Sequence, residues 1–130
     1  MHRVVITGIG CLSSLGLTAA AHISATREGT TGVAEITQID STQLNSKMVA
    51  EIKNFAPEDY LSKKVLGMVD RVSILALVAA AEAIADSGLS FEGEFGEQTA
   101  VIIGTGIGGM NTVDENFRRL YADDAKRLHP

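Results

Sequence analysis

Two kinds of segment predict an α/β fold for this 130-residue chain. Residues 3–7 and 99–103 are rich in valine or isoleucine, and each segment runs into a glycine-rich turn, which is typical of buried strands in a parallel sheet. Residues 70–87 and 111–120 have the apolar composition or the spacing of helices. Strands that alternate with helices indicate an α/β protein.

The second turn is the richest in glycine, with Gly104, Gly106, Gly108 and Gly109 lying within six positions. Glycines at the carboxyl end of a strand let the backbone turn sharply and let another surface come close, because no Cβ stands in the way. Ligands of α/β proteins usually bind at such strand ends. We therefore expect this glycine loop to approach a ligand or another surface.

A dinucleotide is the first ligand to consider, since Gly104, Gly106 and Gly109 satisfy the pattern G-x-G-x-x-G. The complete fingerprint also needs a second strand that ends in an acidic residue. Asp123 and Asp124 lie at about the right distance, but they follow a predicted helix instead of a strand. We therefore favour a structural role for these glycines, in a turn that packs the strand against the helix, and not a nucleotide-binding site.

Composition restricts the class of protein. The net charge of −5 argues against nucleic acid as a partner, and 45% apolar and 21% charged residues are typical of a globular domain. The longest apolar run, residues 74–81, is too short to span a membrane, and no signal peptide is recognisable. The single cysteine cannot form an internal disulfide. We expect one domain over residues 1–130 and a cytoplasmic location.

Two helices carry clear end signals. Thr18 is a suitable N-cap for a helix over residues 19–28, and Gly29 fits the position that ends it. Asp70 can cap a second helix that Gly88 closes. The second helix is apolar nearly all the way round, which predicts burial on several sides. We expect a further part of the fold, or a partner subunit, to cover it.

The middle of the chain is harder to interpret. Residues 33–39 favour one short strand, and residues 48–53 alternate as a half-exposed strand does. Pro57 suits the first turn of a short helix that reaches about Lys64.

No active site can be assembled from residue types alone. Cys11 follows a predicted strand and a glycine turn, where a nucleophile can sit, but a reactive cysteine needs a base or a dipole to lower its pKa. His2, His22 and His129 follow no pattern that places them near Cys11, and they lack the spacing of metal ligands. We favour a small buried role for Cys11 and expect no metal and no cofactor.

The order of the motifs resembles the amino-terminal portion of a β-ketoacyl-acyl carrier protein synthase, a condensing enzyme of fatty-acid and polyketide synthesis. The motifs are residues 3–10 followed by Ser13 and Gly16, Asp70-Arg71 before an alanine-rich helix, Asp86-Ser87-Gly88-Leu89 at its end, residues 101–110 as Gly-(Thr/Ser)-Gly-Ile-Gly-Gly, and His129-Pro130. The resemblance covers essentially the whole chain.

This resemblance implies an incomplete part of a thiolase-like α-β-α-β-α sandwich that forms a homodimer. It also implies a decarboxylative condensation of an acyl thioester with malonyl-carrier protein, with acyl carrier protein as partner and without nucleic acid or membrane. Family chains are roughly three times this length. The nucleophilic cysteine and two histidines of the family are therefore expected beyond residue 130, and Cys11 does not match the nucleophile motif.

Ile107 is the one substrate residue that the resemblance implies in this chain, because the matching isoleucine lines the channel for the growing acyl chain. A plain core contact is the alternative for Ile107. For the chain as a whole, we expect a β-ketoacyl synthase fragment without catalytic residues of its own. The alternatives are a non-catalytic partner subunit, analogous to a chain-length factor, and an inert truncated product.

Overall fold

A computed structural model describes residues 3–123 and 128. The described residues form five α-helices and one antiparallel pair of short strands, in the order α1 (Ala19–Arg27), β1 (Ala34–Glu35), β2 (Met48–Val49), α2 (Lys63–Leu66), α3 (Arg71–Ser87), α4 (Gly93–Glu97) and α5 (Met110–Tyr121). They divide into two compact units, one of residues 1–55 and 79–89 and one of residues 56–78 and 90–130. The mixed helix and strand content agrees with the predicted α/β class.

The two short strands of the first unit lie within the segments that the sequence indicated. Ala34 pairs with Val49 and Glu35 with Met48, and the N–H of Ile36 continues the pairing by donating to the carbonyl of Lys47 at 2.8 Å. Both strands are shorter than predicted.

Helix α1 confirms its predicted ends. The Thr18 hydroxyl accepts a hydrogen bond from the N–H of Ala21 at 3.1 Å, and Gly29 has the positive φ of 69° that favours glycine. The single helix predicted from Pro57 to Lys64 is wrong. Pro57–Asp59 form one 3₁₀ turn, and α2 begins separately behind an N-cap at Ser62.

Helix α3 has the predicted ends and is partly buried within the described residues. Asp70 caps it, since the Asp70 carboxylate accepts from the N–H of Val72 at 3.0 Å, and Gly88 ends it with a φ of 63°. Within the described residues, Val78 is the only buried hydrophobic side chain, at 5% exposure. Most apolar residues in the first half of α3 are partly buried, whereas Leu77 and Ile84 are 44% and 48% exposed. The expectation that a further part of the fold or a partner subunit covers α3 stays a prediction.

The two strands predicted over residues 3–7 and 99–103 are also wrong for the described structure. Neither segment has strand pairing, and Val4 and Ile102 are 94% and 91% exposed. β-Branched residues favour an extended backbone, but a strand also needs a neighbouring chain to accept its hydrogen bonds. No described helix is long and apolar enough to cross a membrane.

Candidate acyl-binding site at the glycine loop

The glycine loop of residues 104–109 leads into α5 and presents Ile107. Gly109 has a φ of 83° and forms the N-cap of α5 without any side chain to cap the helix. A Cβ at Gly104 or Gly106 would meet no other atom within 4 Å. Ile107 is 76% exposed, so its apolar side chain projects from a segment that other described residues do not pack against closely.

A pocket of about 250 Å³ lies beside this loop. Its apolar lining comes from Ile107 and from Val72 and Leu75 of α3, and Asp70 and Arg71 lie at the start of that helix. Residues 108–111 complete the lining. Ile107, which the resemblance assigns to the acyl channel, is an exposed residue that lines this pocket. The pocket is suited to an apolar chain, because burying each methylene contributes about 0.8 kcal/mol.

The Asp70 carboxylate connects the starts of two helices at this pocket. One oxygen, Oδ1, accepts the bond from Val72 in α3, and Oδ2 accepts from the N–H of Thr112 in α5 at 2.9 Å. The Thr112 hydroxyl also donates to Oδ2. The cap on α3 was predictable, but the link to Thr112 was not, since no sequence pattern indicates a contact across 42 positions.

Cys11 lies in the other unit, near the second half of α3. Its N–H donates to Oε2 of Glu82 at 2.8 Å, and the N–H of Ile9 donates to Oδ2 of Asp86 at 2.9 Å. The ring of His22 shares a hydrogen bond of 2.7 Å with Ser13 Oγ. The geometry thus gives Cys11 a backbone anchor and shows no described base acting on its thiol.

Several residues of the sequence analysis lie outside the described residues, namely His2, Asp124, His129 and Pro130. Among residues 3–123 and 128, no three histidine, cysteine, aspartate or glutamate side chains are grouped in a way that would hold a metal ion. The nucleotide hypothesis gains no support from the loop, because the segment before Gly104 forms no described strand.

Comparison with known proteins identifies the family. The model of the family described as "Beta-ketoacyl synthase, N-terminal domain" matches residues 1–130. The chain belongs to the β-ketoacyl synthase family. Its glycine loop and α3 therefore lie within the region that matches this amino-terminal domain.

Curated relatives of this β-ketoacyl synthase domain have one name in common. A 3-oxoacyl-(acyl-carrier-protein) synthase 2 of Staphylococcus aureus strain N315 is 36% identical over 128 residues, which are 98% of this chain and 31% of the relative. The protein of the same name from Vibrio harveyi is 31% identical over the same shares. The chain thus spans about a third of the length of these relatives.

A solved structure supports the assignment of the fold. The structure titled "The ishigamide ketosynthase/chain length factor" matches with a TM-score of 0.61 and 29% identity, over 66% of this chain and 21% of that chain. The likeness supports a ketosynthase-like fold for this domain.

Proposed function

We propose that this chain is the acyl-binding, amino-terminal part of an elongating β-ketoacyl-acyl carrier protein synthase of fatty-acid biosynthesis. The observation that carries the proposal is the exposed Ile107 side chain beside the pocket formed with Val72 and Leu75. Family membership over residues 1–130 and the names of the curated relatives support the same reaction class.

The proposed reaction joins an acyl group to a malonyl group. A cysteine thiolate of the synthase takes the acyl group from its thioester and releases the carrier thiol. Loss of CO₂ from malonyl-carrier protein supplies the electron pair that forms the new carbon–carbon bond, and the cysteine thiolate leaves. Acyl carrier protein is then the partner, and the reaction needs neither metal nor cofactor.

Ile107 would act on the acyl chain and not on the reacting carbonyl. A methylene chain that enters the pocket buries apolar surface of Ile107, Val72 and Leu75, which favours binding. Gly106, which precedes Ile107, has open space around it and gives the backbone the freedom to yield as the chain lengthens.

We propose further that the nucleophilic cysteine and the assisting histidines are not among residues 1–130. The environment of Cys11 supports this view, since its N–H is held by Glu82 and the His22 ring is engaged by Ser13. A homodimer and a cytoplasmic location belong to the same proposal.

A non-catalytic partner subunit is the second candidate. The matching solved structure carries "chain length factor" in its title, which is the observation that favours this alternative. An inert truncated product is the remaining alternative from the sequence.

The test uses the complete synthase that contains this chain. Its two substrates are acyl carrier protein loaded with an acyl group and acyl carrier protein loaded with a malonyl group. We expect CO₂ release in step with the 3-oxoacyl product, and an acylated cysteine peptide outside residues 1–130. Residues 1–130 alone should form neither product nor acyl-enzyme. Acylation of Cys11 would overturn the proposed division of roles. A complete protein that forms no acyl-enzyme, but alters the product length of a second synthase, would establish the partner-subunit alternative.

A further inference from the structure

The start of α5 takes its cap from another helix. Gly109 contributes no side chain, and the first turn of α5 contains no acidic residue. Asp70 Oδ2 instead accepts from the N–H of Thr112, one of the N–H groups that the first turn of a helix leaves without an intrahelical partner. The carboxylate also places negative charge where the dipole of α5 favours it.

The same carboxylate caps α3, so one side chain ties two helix starts together. Asp70 Oδ1 holds the N–H of Val72, while Oδ2 holds both the N–H and the hydroxyl of Thr112. Hydrogen bonds to a charged acceptor are stronger than those between neutral groups. The starts of α3 and α5 are therefore fixed to each other by one charged acceptor.

This connection anchors one end of the glycine loop and leaves the other end open. At the anchored end, a Cβ at Gly108 would lie 2.7 Å from Thr105 Oγ1 and 3.3 Å from Val72 Cγ1, so the backbone there packs closely. At the open end, Gly104 and Gly106 have no neighbouring atoms in the way. Ile107 lies between these ends and shares its pocket with Asp70 and Val72.

We propose that Asp70 and Thr112 are positioning residues that set the resting place of Ile107 and thereby the length of acyl chain that the pocket accepts. The inference rests on the proposed function, because it assigns a role to residues around the proposed acyl pocket. A long chain has to displace Ile107, and the displacement pulls on the anchored end of the loop. Weakening the anchor therefore makes displacement easier and favours long chains over short ones.

The test is the ratio of kcat/KM for a long acyl primer to kcat/KM for a short one, measured in the complete synthase. Thr112→Val keeps the shape of the side chain and the backbone N–H but removes the hydroxyl bond to Asp70. We expect this ratio to rise about tenfold, which corresponds to about 1.4 kcal/mol and lies near the lower end of what a hydrogen bond to a charged group contributes. The short-primer value should stay within about twofold of the parent.

Two controls separate positioning from a general loss of structure. Thr112→Ser keeps the hydroxyl and should restore the parent ratio. Thr26→Val removes a threonine hydroxyl bond far from the loop in sequence, of 2.8 Å to the backbone carbonyl of His22 in α1, and should leave the ratio unchanged. If Thr112→Val gives no soluble protein, Asp70→Asn weakens the same connection and is expected to raise the ratio as well.

The outcomes are distinguishable from failure of the proposed function. Ile107→Phe tests the pocket itself. If Ile107→Phe lowers kcat/KM for long primers only, while Thr112→Val leaves the long-to-short ratio of kcat/KM unchanged, the pocket stands and only this inference is overturned. If Thr112→Val changed kcat/KM equally for all primers, Thr112 would be a structural residue and this inference would also be overturned. A length-independent effect of Ile107→Phe would overturn the pocket and this inference together.

Discussion

The Glu82 carboxylate accepts a hydrogen bond from the backbone N–H of Cys11 at 2.8 Å, across 71 positions of the sequence. Its second oxygen accepts from the N–H of Ala19 at 2.8 Å, at the first residue of α1. One side chain of α3 thus holds both the turn after residues 3–10 and the start of α1. Such a carboxylate needs both oxygens as acceptors.

We expect Glu82→Gln to destabilise the fold by about 1 kcal/mol. The glutamine amide has one acceptor oxygen, so its NH₂ group must face the N–H of either Cys11 or Ala19, and two donors cannot form a hydrogen bond. Urea unfolding of the complete synthase measures the change. Glu97→Gln removes the same charge from an exposed side chain of α4 and should stay within about 0.5 kcal/mol of the parent. Equal effects of the two substitutions would contradict the role of Glu82.

Gly10 should tolerate no side chain. A Cβ at Gly10 would overlap the carbonyl oxygen of Ala79 in α3, and backbone cannot move aside as a flexible side chain can. We expect Gly10→Ala to cost about 1–3 kcal/mol in unfolding free energy, the usual range for overpacking. Gly104→Ala is the matched control, since a Cβ there meets open space. A Gly10→Ala variant as stable as the control would refute the close approach.

The sequence predicted the parts of the fold that local signals determine. Thr18, Asp70 and the glycines at 29 and 88 mark helix ends through their own side chains and backbone, and the structure confirms all four. The strand predictions for residues 3–7 and 99–103 failed because strand pairing depends on distant segments, which the composition of one segment cannot supply.

The exposed apolar segments predict that residues 1–130 alone associate. Val4 and Ile102 are almost fully exposed, and leaving ~400 Å² of apolar surface in water costs about 10 kcal/mol. Sedimentation should show oligomers or aggregates. Ile102→Lys should reduce association more than Thr99→Lys, which adds the same charge at a nearby polar position. A monomer with one sharp, cooperative melting transition would contradict this expectation.

Acid should loosen the link between residues 37–38 and Glu51. Desolvation acts to raise the pKa of the Glu51 carboxyl, but hydrogen bonds from Thr37 and Gln38 and the charge of Lys53 lower the pKa below its usual value. A carboxyl with a lowered pKa stabilises the folded state above the pKa of the unfolded state. That stabilisation is lost as the pH falls through the lower folded-state pKa.

Amide exchange of Thr37 measures this effect, because its N–H donates to Glu51 Oε1 at 3.1 Å. After correction for the intrinsic pH dependence of exchange, protection should fall as the pH drops below the usual titration range of a glutamate carboxyl, because the pKa of Glu51 is lowered. Glu51→Gln should abolish the pH-dependent part. Protection that is unchanged by acid in the parent protein would contradict the assigned hydrogen bonds.

The sequence indicated the residue types of the candidate site but not the contacts among them. The glycines around Ile107 marked a loop with room for a mobile apolar side chain, and the structure places Ile107 beside a pocket. Only the structure shows that Val72 and Leu75 of α3 line the same pocket and that Asp70 accepts hydrogen bonds from Thr112. Helical spacing shows which residues share a face of one helix, but it does not show which other segment that face meets.

The central claim is that Ile107 forms part of an acyl pocket, and Ile107→Phe in the complete synthase tests it most directly. The larger ring overfills the path of a long chain, and overpacking typically costs ~1–3 kcal/mol, so discrimination by about tenfold or more is expected. The measurement is kcat/KM across a series of acyl primers of increasing length. A loss confined to long primers is the predicted result, whereas an equal loss at every length would make Ile107 a structural residue and contradict the account.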